Sequence, residues 1–122
     1  MITDNPSQRE NSLAADTVLS CVEAVNNGDY KEARTYVSDQ MVFLGVMGSS
    51  DGGDAYVDYL ELKKIRYQVH KVFAEGDDVC LLYDLLMGGK AIYGCGWYHV
   101  KEGKINMLRV VFDPRPLLEQ KG

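Results

Sequence analysis

A chain of 122 residues that is 46% hydrophobic, 25% charged and 10% aromatic has the proportions of one ordinary globular domain. That length can bury roughly two thirds of its unfolded surface in one core without metal or disulfide staples, and is too short for two domains. Thirteen lysines and arginines against 18 acidic residues give a net charge of −5, which excludes phosphate backbones and anionic membranes as expected partners.

The first ten residues, MITDNPSQRE, carry no apolar run of the kind that heads a secretory signal. No stretch approaches the roughly 18 apolar residues of a membrane span. Cys21, Cys80 and Cys95 are an odd number without a C-x-x-C spacing, which suits reduced thiols better than a disulfide framework. The expected location is the cytoplasm.

Residues 1–11 are polar and read as a flexible lead-in, 12–116 as the folded domain and 117–122 as a tail. Asn11 or Ser12 can cap a first helix, in which Ala15, Val18, Leu19, Val22 and Val25 make one apolar stripe ending near Gly28. Asp29 can cap a second, shorter helix through Tyr36. The run Met41 to Val46 is too short and too rich in β-branched and aromatic residues for a helix, so it reads as a strand. GSSDGGD then reads as a loop, and AYVDYLELKKI as a third helix started by Asp51 or Asp54, with Tyr56, Tyr59, Leu60 and Lys63 on one side.

The second half is sheet. RYQVHKVFA, VCLLYDLLM, AIYGCGWYHV and INMLRVVF are separated by turn chemistry at Glu75 to Asp78, Gly88-Gly89 and Lys101 to Gly103, and predict four consecutive antiparallel strands. Asp113-Pro-Arg-Pro116 ends the last one, because two prolines cannot continue a ladder. Three helices before a curved antiparallel sheet define an α+β domain with room for a cavity between the layers.

NNGDY after the first helix, a strand followed by a glycine-rich loop and helix, WYHVKEGKI and LRVVFDPRP together resemble the nuclear transport factor 2-like superfamily, over about residues 12–116. That group includes ketosteroid isomerase, limonene-epoxide hydrolase and polyketide-cyclase-like proteins. The resemblance implies a cone-shaped sheet wrapped over about three helices. Its motifs are turns and apolar positions, specific for fold and weak for function. The isomerase base and oxyanion hole would fall on Leu44, Cys21 and about Gly96, and the hydrolase's arginine between two aspartates on Leu81, Tyr83 and Val110. Neither set can run the corresponding reaction.

Hairpin arithmetic sorts the side chains. A two-residue turn at Gly88-Gly89 sets Tyr83 opposite Gly94 and Leu81 opposite Gly96, and a three-residue turn at Lys101 to Gly103 sets Gly96 opposite Leu108 and Gly94 opposite Val110. The resemblance turns the face bearing Leu81, Tyr83, Gly94, Gly96, Tyr98, Asn106, Leu108, Val110 and Phe112 inward. With Cys21 and Tyr59 from the helices, Leu81, Tyr83, Gly96, Tyr98, Leu108, Val110 and Phe112 are the expected ligand-binding set. Gly94 and Gly96 are expected to leave room for a ligand.

Asp84, His99, Arg109 and Asp113 fall on the other face and form an alternative polar site, or else a surface network. Trp97 and Met107 beside them suit the core of a homodimer. His70 and His99 lack metal-ligand spacing, the glycine-rich loop Gly48–Asp54 lacks a phosphate-binding lysine and reads as a capping loop at a pocket mouth, and no cofactor motif is present. The expected activity is binding of a small, largely apolar molecule. The alternatives are an isomerase, cyclase or lyase acting on an apolar carbonyl compound, or a dimeric protein-interaction domain.

Overall fold

The computed structural model describes residues 6–46 and 48–118, with side chains from Leu13 onward. Its elements run α1 (Pro6–Asn26), α2 (Tyr30–Thr35), β1 (Val37–Leu44), β2 (Ser49–Asp51), α3 (Gly53–Lys63), β3 (Arg66–Glu75), β4 (Asp78–Met87), β5 (Lys90–Lys101), β6 (Lys104–Phe112) and α4 (Arg115–Leu118). The six strands form one curved, open sheet in the order β2-β1-β6-β5-β4-β3, antiparallel except for the β1–β6 pair.

α1 begins at Pro6, five or six residues before the expected cap at Asn11 or Ser12, in a position where the missing proline N–H costs nothing. Its inward line is Ala14, Val18, Cys21 and Val25, so Ala15 and Leu19 of the expected stripe flank the core instead of centring it. The helix stops as the sequence predicts. Gly28 takes φ +74°, and the bonds Asp29 N→Ala24 O and Gly28 N→Val25 O close the last turn. Asp29 then caps α2 by accepting from Glu32 N at 3.1 Å. Asn26 bonds both backbone groups of Tyr67, at 2.8 and 2.9 Å, which fastens α1 to edge strand β3.

GSSDGGD, expected to be loop throughout, contributes the short edge strand β2, paired with Val42 to Leu44. Helix α3 follows Gly52 and buries Tyr56, Val57 and Leu60.

The β4–β5 register is the predicted one, with Leu81 opposite Gly96 and Tyr83 opposite Gly94. The β5–β6 register differs by two: Gly96 faces Val110, Gly94 faces Phe112 and Tyr98 faces Leu108. The connecting loop has two residues, Glu102 and Gly103, both at positive φ, and Lys101 pairs with Lys104. That change alone would turn β6 over. A bulge at Asn106, between the Val100–Ile105 and His99–Met107 pairs, restores the parity and leaves Leu108 and Val110 inward.

Candidate functional site

Protein atoms fill the space between sheet and helices. Leu81 and Tyr83 are 0% exposed, and Tyr98 and Leu108 1%. A Cβ on Gly96 would lie 2.9 Å from the Tyr83 hydroxyl oxygen, 3.1 Å from Tyr98 Cε1 and 3.2 Å from Leu108 Cδ1. A Cβ on Gly94 would lie 2.7 Å from both Phe112 Cβ and the Val111 carbonyl. The room these glycines leave is therefore taken by Tyr83 and by strand β6, which corrects the expectation that it is kept for a ligand.

The Tyr83 hydroxyl and the Asn106 side-chain oxygen are buried with no hydrogen-bond partner among the described residues. Tyr67 packs edge-on against Tyr83 with ring centroids 5.0 Å apart. Burial raises the pKa of Tyr56, Tyr67, Tyr83 and Tyr98 well above the usual phenol value, so all four stay neutral. Cys21 aims its thiol at the Ala33 carbonyl across 3.7 Å, and burial pushes its pKa to about 12. It is a packing thiol.

Open space lies at one end of the cone, as a pocket of about 720 Å³ between the β1–β2 turn, α3, the β4–β5 turn and α4. The Phe43 ring forms one wall, 5.5 Å from the Tyr56 ring and 6.0 Å from Tyr59. Gly45 is needed beneath it, because a Cβ there would lie 2.9 Å from Phe43 Cζ and 3.1 Å from the Gly48 carbonyl. Gly45 N also donates to that carbonyl at 2.8 Å, which closes the turn.

Tyr59 and Phe112 of the expected set line this pocket, whereas Leu81, Tyr83, Gly96, Tyr98, Leu108, Val110 and Cys21 lie in the interior beyond it. The lining residues that sequence reasoning missed come from turns and element ends, Phe43 and Val46 before the glycine-rich loop and Leu62, Met87 and Leu117 from other stretches, whereas Gly48, Ser49 and Ser50 belong to the loop expected at a pocket mouth. One legible signal was MVFLGV, an apolar strand running straight into glycines. Leu44, onto which the resemblance carried a strand base, does not face the interior. Phe43 is level with inward Leu108, and Leu44 with outward Arg109.

The alternative polar residues do not assemble into one site. Asp84 pairs with His70 at 3.3 Å, Asp78 accepts from Trp97 Nε1 at 2.9 Å and pairs with His99 at 2.8 Å, and Asp113 holds Arg115 at 2.7 Å. Arg109 stands opposite Trp97, in none of these pairs. The Arg115 guanidinium lowers Asp113 to about 2, and bonds from His99 and Trp97 lower Asp78. Among the described residues no group of three or more His, Cys, Asp or Glu could hold a metal ion, and no helix is long and apolar enough to cross a membrane.

A curved open sheet over helices, with an apolar pocket at its end, is the architecture of a nuclear transport factor 2-like domain. The chain belongs to the SnoaL-like domain family, which it matches over residues 18–107. It is similar to an NTF2-like protein of unknown function from Cytophaga hutchinsonii, with 39% identity and a TM-score of 0.84 over 98% of this chain and 100% of that one. It shares its fold with an LEH-like epoxide hydrolase of M. tuberculosis, with 22% identity and a TM-score of 0.77 over 90% of each chain. A de novo designed protein with a curved β-sheet is similar too, at 20% identity and a TM-score of 0.75 over 85% of this chain and 88% of that one. A comparison with curated proteins finds no match.

Proposed function

We propose that the protein binds a small, largely apolar molecule in the pocket at the end of the cone. One observation carries the reading: an opening of about 720 Å³, walled by Phe43, Tyr59, Met87 and Phe112, lies where sheet and helices diverge. Its size is typical of small-molecule sites, and water gains little from contact with such walls. The reading places the protein in the cytoplasm and pairs two copies through the outer sheet face, where Trp97, Val111 and Tyr93 are 46%, 54% and 58% exposed. A second reading, an isomerase, cyclase or lyase acting on an apolar carbonyl compound, draws on the family match alone, because the Tyr83 and Tyr98 hydroxyls lie buried beyond the pocket.

Ser50→Trp tests the pocket. Ser50 lines it from an edge strand and is half-buried, so an indole there blocks the opening while the core stays untouched. Binding of an apolar fluorescent probe, 1-anilinonaphthalene-8-sulfonate, should fall at least tenfold with the thermal midpoint nearly unchanged. Undiminished binding would place the ligand elsewhere.

A further inference from the structure

The only charged residues lining the pocket, among those described, are Lys63 at the end of α3 and Lys90 at the start of β5. This is notable in a chain of net charge −5. Neither ammonium forms an ion pair with a described residue, while the arginines Arg34 and Arg115 are both engaged with carboxylates. Ser49 and Ser50, the hydroxyl-bearing residues on the β2 side, add two groups that can donate hydrogen bonds. The chemistry of the opening is therefore an apolar wall with cationic and hydroxyl donors at its edge and no acceptor carboxylate.

We propose that the ligand is an amphiphile with an apolar body and a terminal carboxylate, held with its body against Phe43, Tyr59 and Phe112 and its charged end between Lys63 and Lys90. The inference rests on the pocket reading above and specifies its ligand. A neutral molecule would leave both ammonium groups to water, which costs nothing but also contributes nothing. A carboxylate gains two attractions and meets no carboxylate among the lining residues, in an environment partly depleted of water by the apolar walls. A cationic or zwitterionic ligand would meet like charge.

The test compares decanoate with its uncharged methyl ester by calorimetric titration, with amide shifts of Gly45, Gly48 and Gly88 locating the contact. One exposed and one half-buried lysine should favour the carboxylate about two- to fivefold at low salt, and 0.5 M sodium chloride should erode that preference. The double variant Lys63→Gln/Lys90→Gln should bring the acid down to the level of the ester. Lys101→Gln/Lys104→Gln removes the same two charges at the distant β5–β6 turn and should leave the preference in place. Equal binding of acid and ester, or a preference that survives the double variant, would overturn the inference and leave the pocket reading standing. Binding of neither compound would overturn both.

Discussion

Removing the Tyr83 hydroxyl should stabilise the protein. The oxygen is fully buried and without a hydrogen-bond partner among the described residues, and it presses on the space above Gly96. A buried donor left unpaired costs about 1 to 3 kcal/mol. Tyr83→Phe abolishes that cost and opens a small void, so we expect a net gain of about 1 kcal/mol, or an increase of roughly 3 to 5 °C in the thermal midpoint of a domain this size. Gly96→Ala should do the opposite, losing about 1 to 3 kcal/mol, because its methyl would meet Tyr83, Tyr98 and Leu108 at 2.9 to 3.2 Å. Since the hydroxyl is the nearest of those atoms, part of that loss should disappear in the Tyr83→Phe background while the contacts with Tyr98 and Leu108 remain, and the double-mutant cycle should return a coupling of about 0.5 to 1 kcal/mol. Urea titrations of the four proteins measure this directly. A loss of more than about 1 kcal/mol for Tyr83→Phe, or strictly additive effects, would refute the reasoning and show that something holds the hydroxyl.

Asp78 has its pKa lowered in the fold, first by His99 and then by Trp97, so its contribution is complete above the unfolded value and is lost as pH falls from about 4 through the folded one. Asp78→Asn should flatten the fall in urea midpoint between pH 5 and 3; an unchanged slope would remove the assigned role. Trp97→Glu should convert a dimer into a monomer by light scattering, and a monomeric wild type at micromolar concentration would defeat the pairing through that face. Cys21, with its thiol pushed to about 12 by burial, should resist alkylation until the protein unfolds, and native labelling at a rate matching Cys80 would contradict the packing.

Local rules carried much of the fold. Gly28 and Asp29 ended and restarted the helices through capping bonds between neighbours in sequence, and Gly88-Gly89 set the β4–β5 register through its own backbone angles. Alternation along β4, β5 and β6 told inward from outward residues, because a strand has a period of two and only one face is buried. The bulge at Asn106 was not legible. Glu102-Gly103 alone would have turned β6 over, and what keeps Leu108 and Val110 inward is burial against helices far away in the chain. The same holds for the site. Counting strand positions identified the inward tyrosines, yet whether the space beside Gly96 stayed open depended on where the Tyr83 ring of the next strand came to rest. The open pocket is made by turns and element ends from four separated stretches, and a volume between such segments is a property of their docking in three dimensions, which no local pattern of residues encodes.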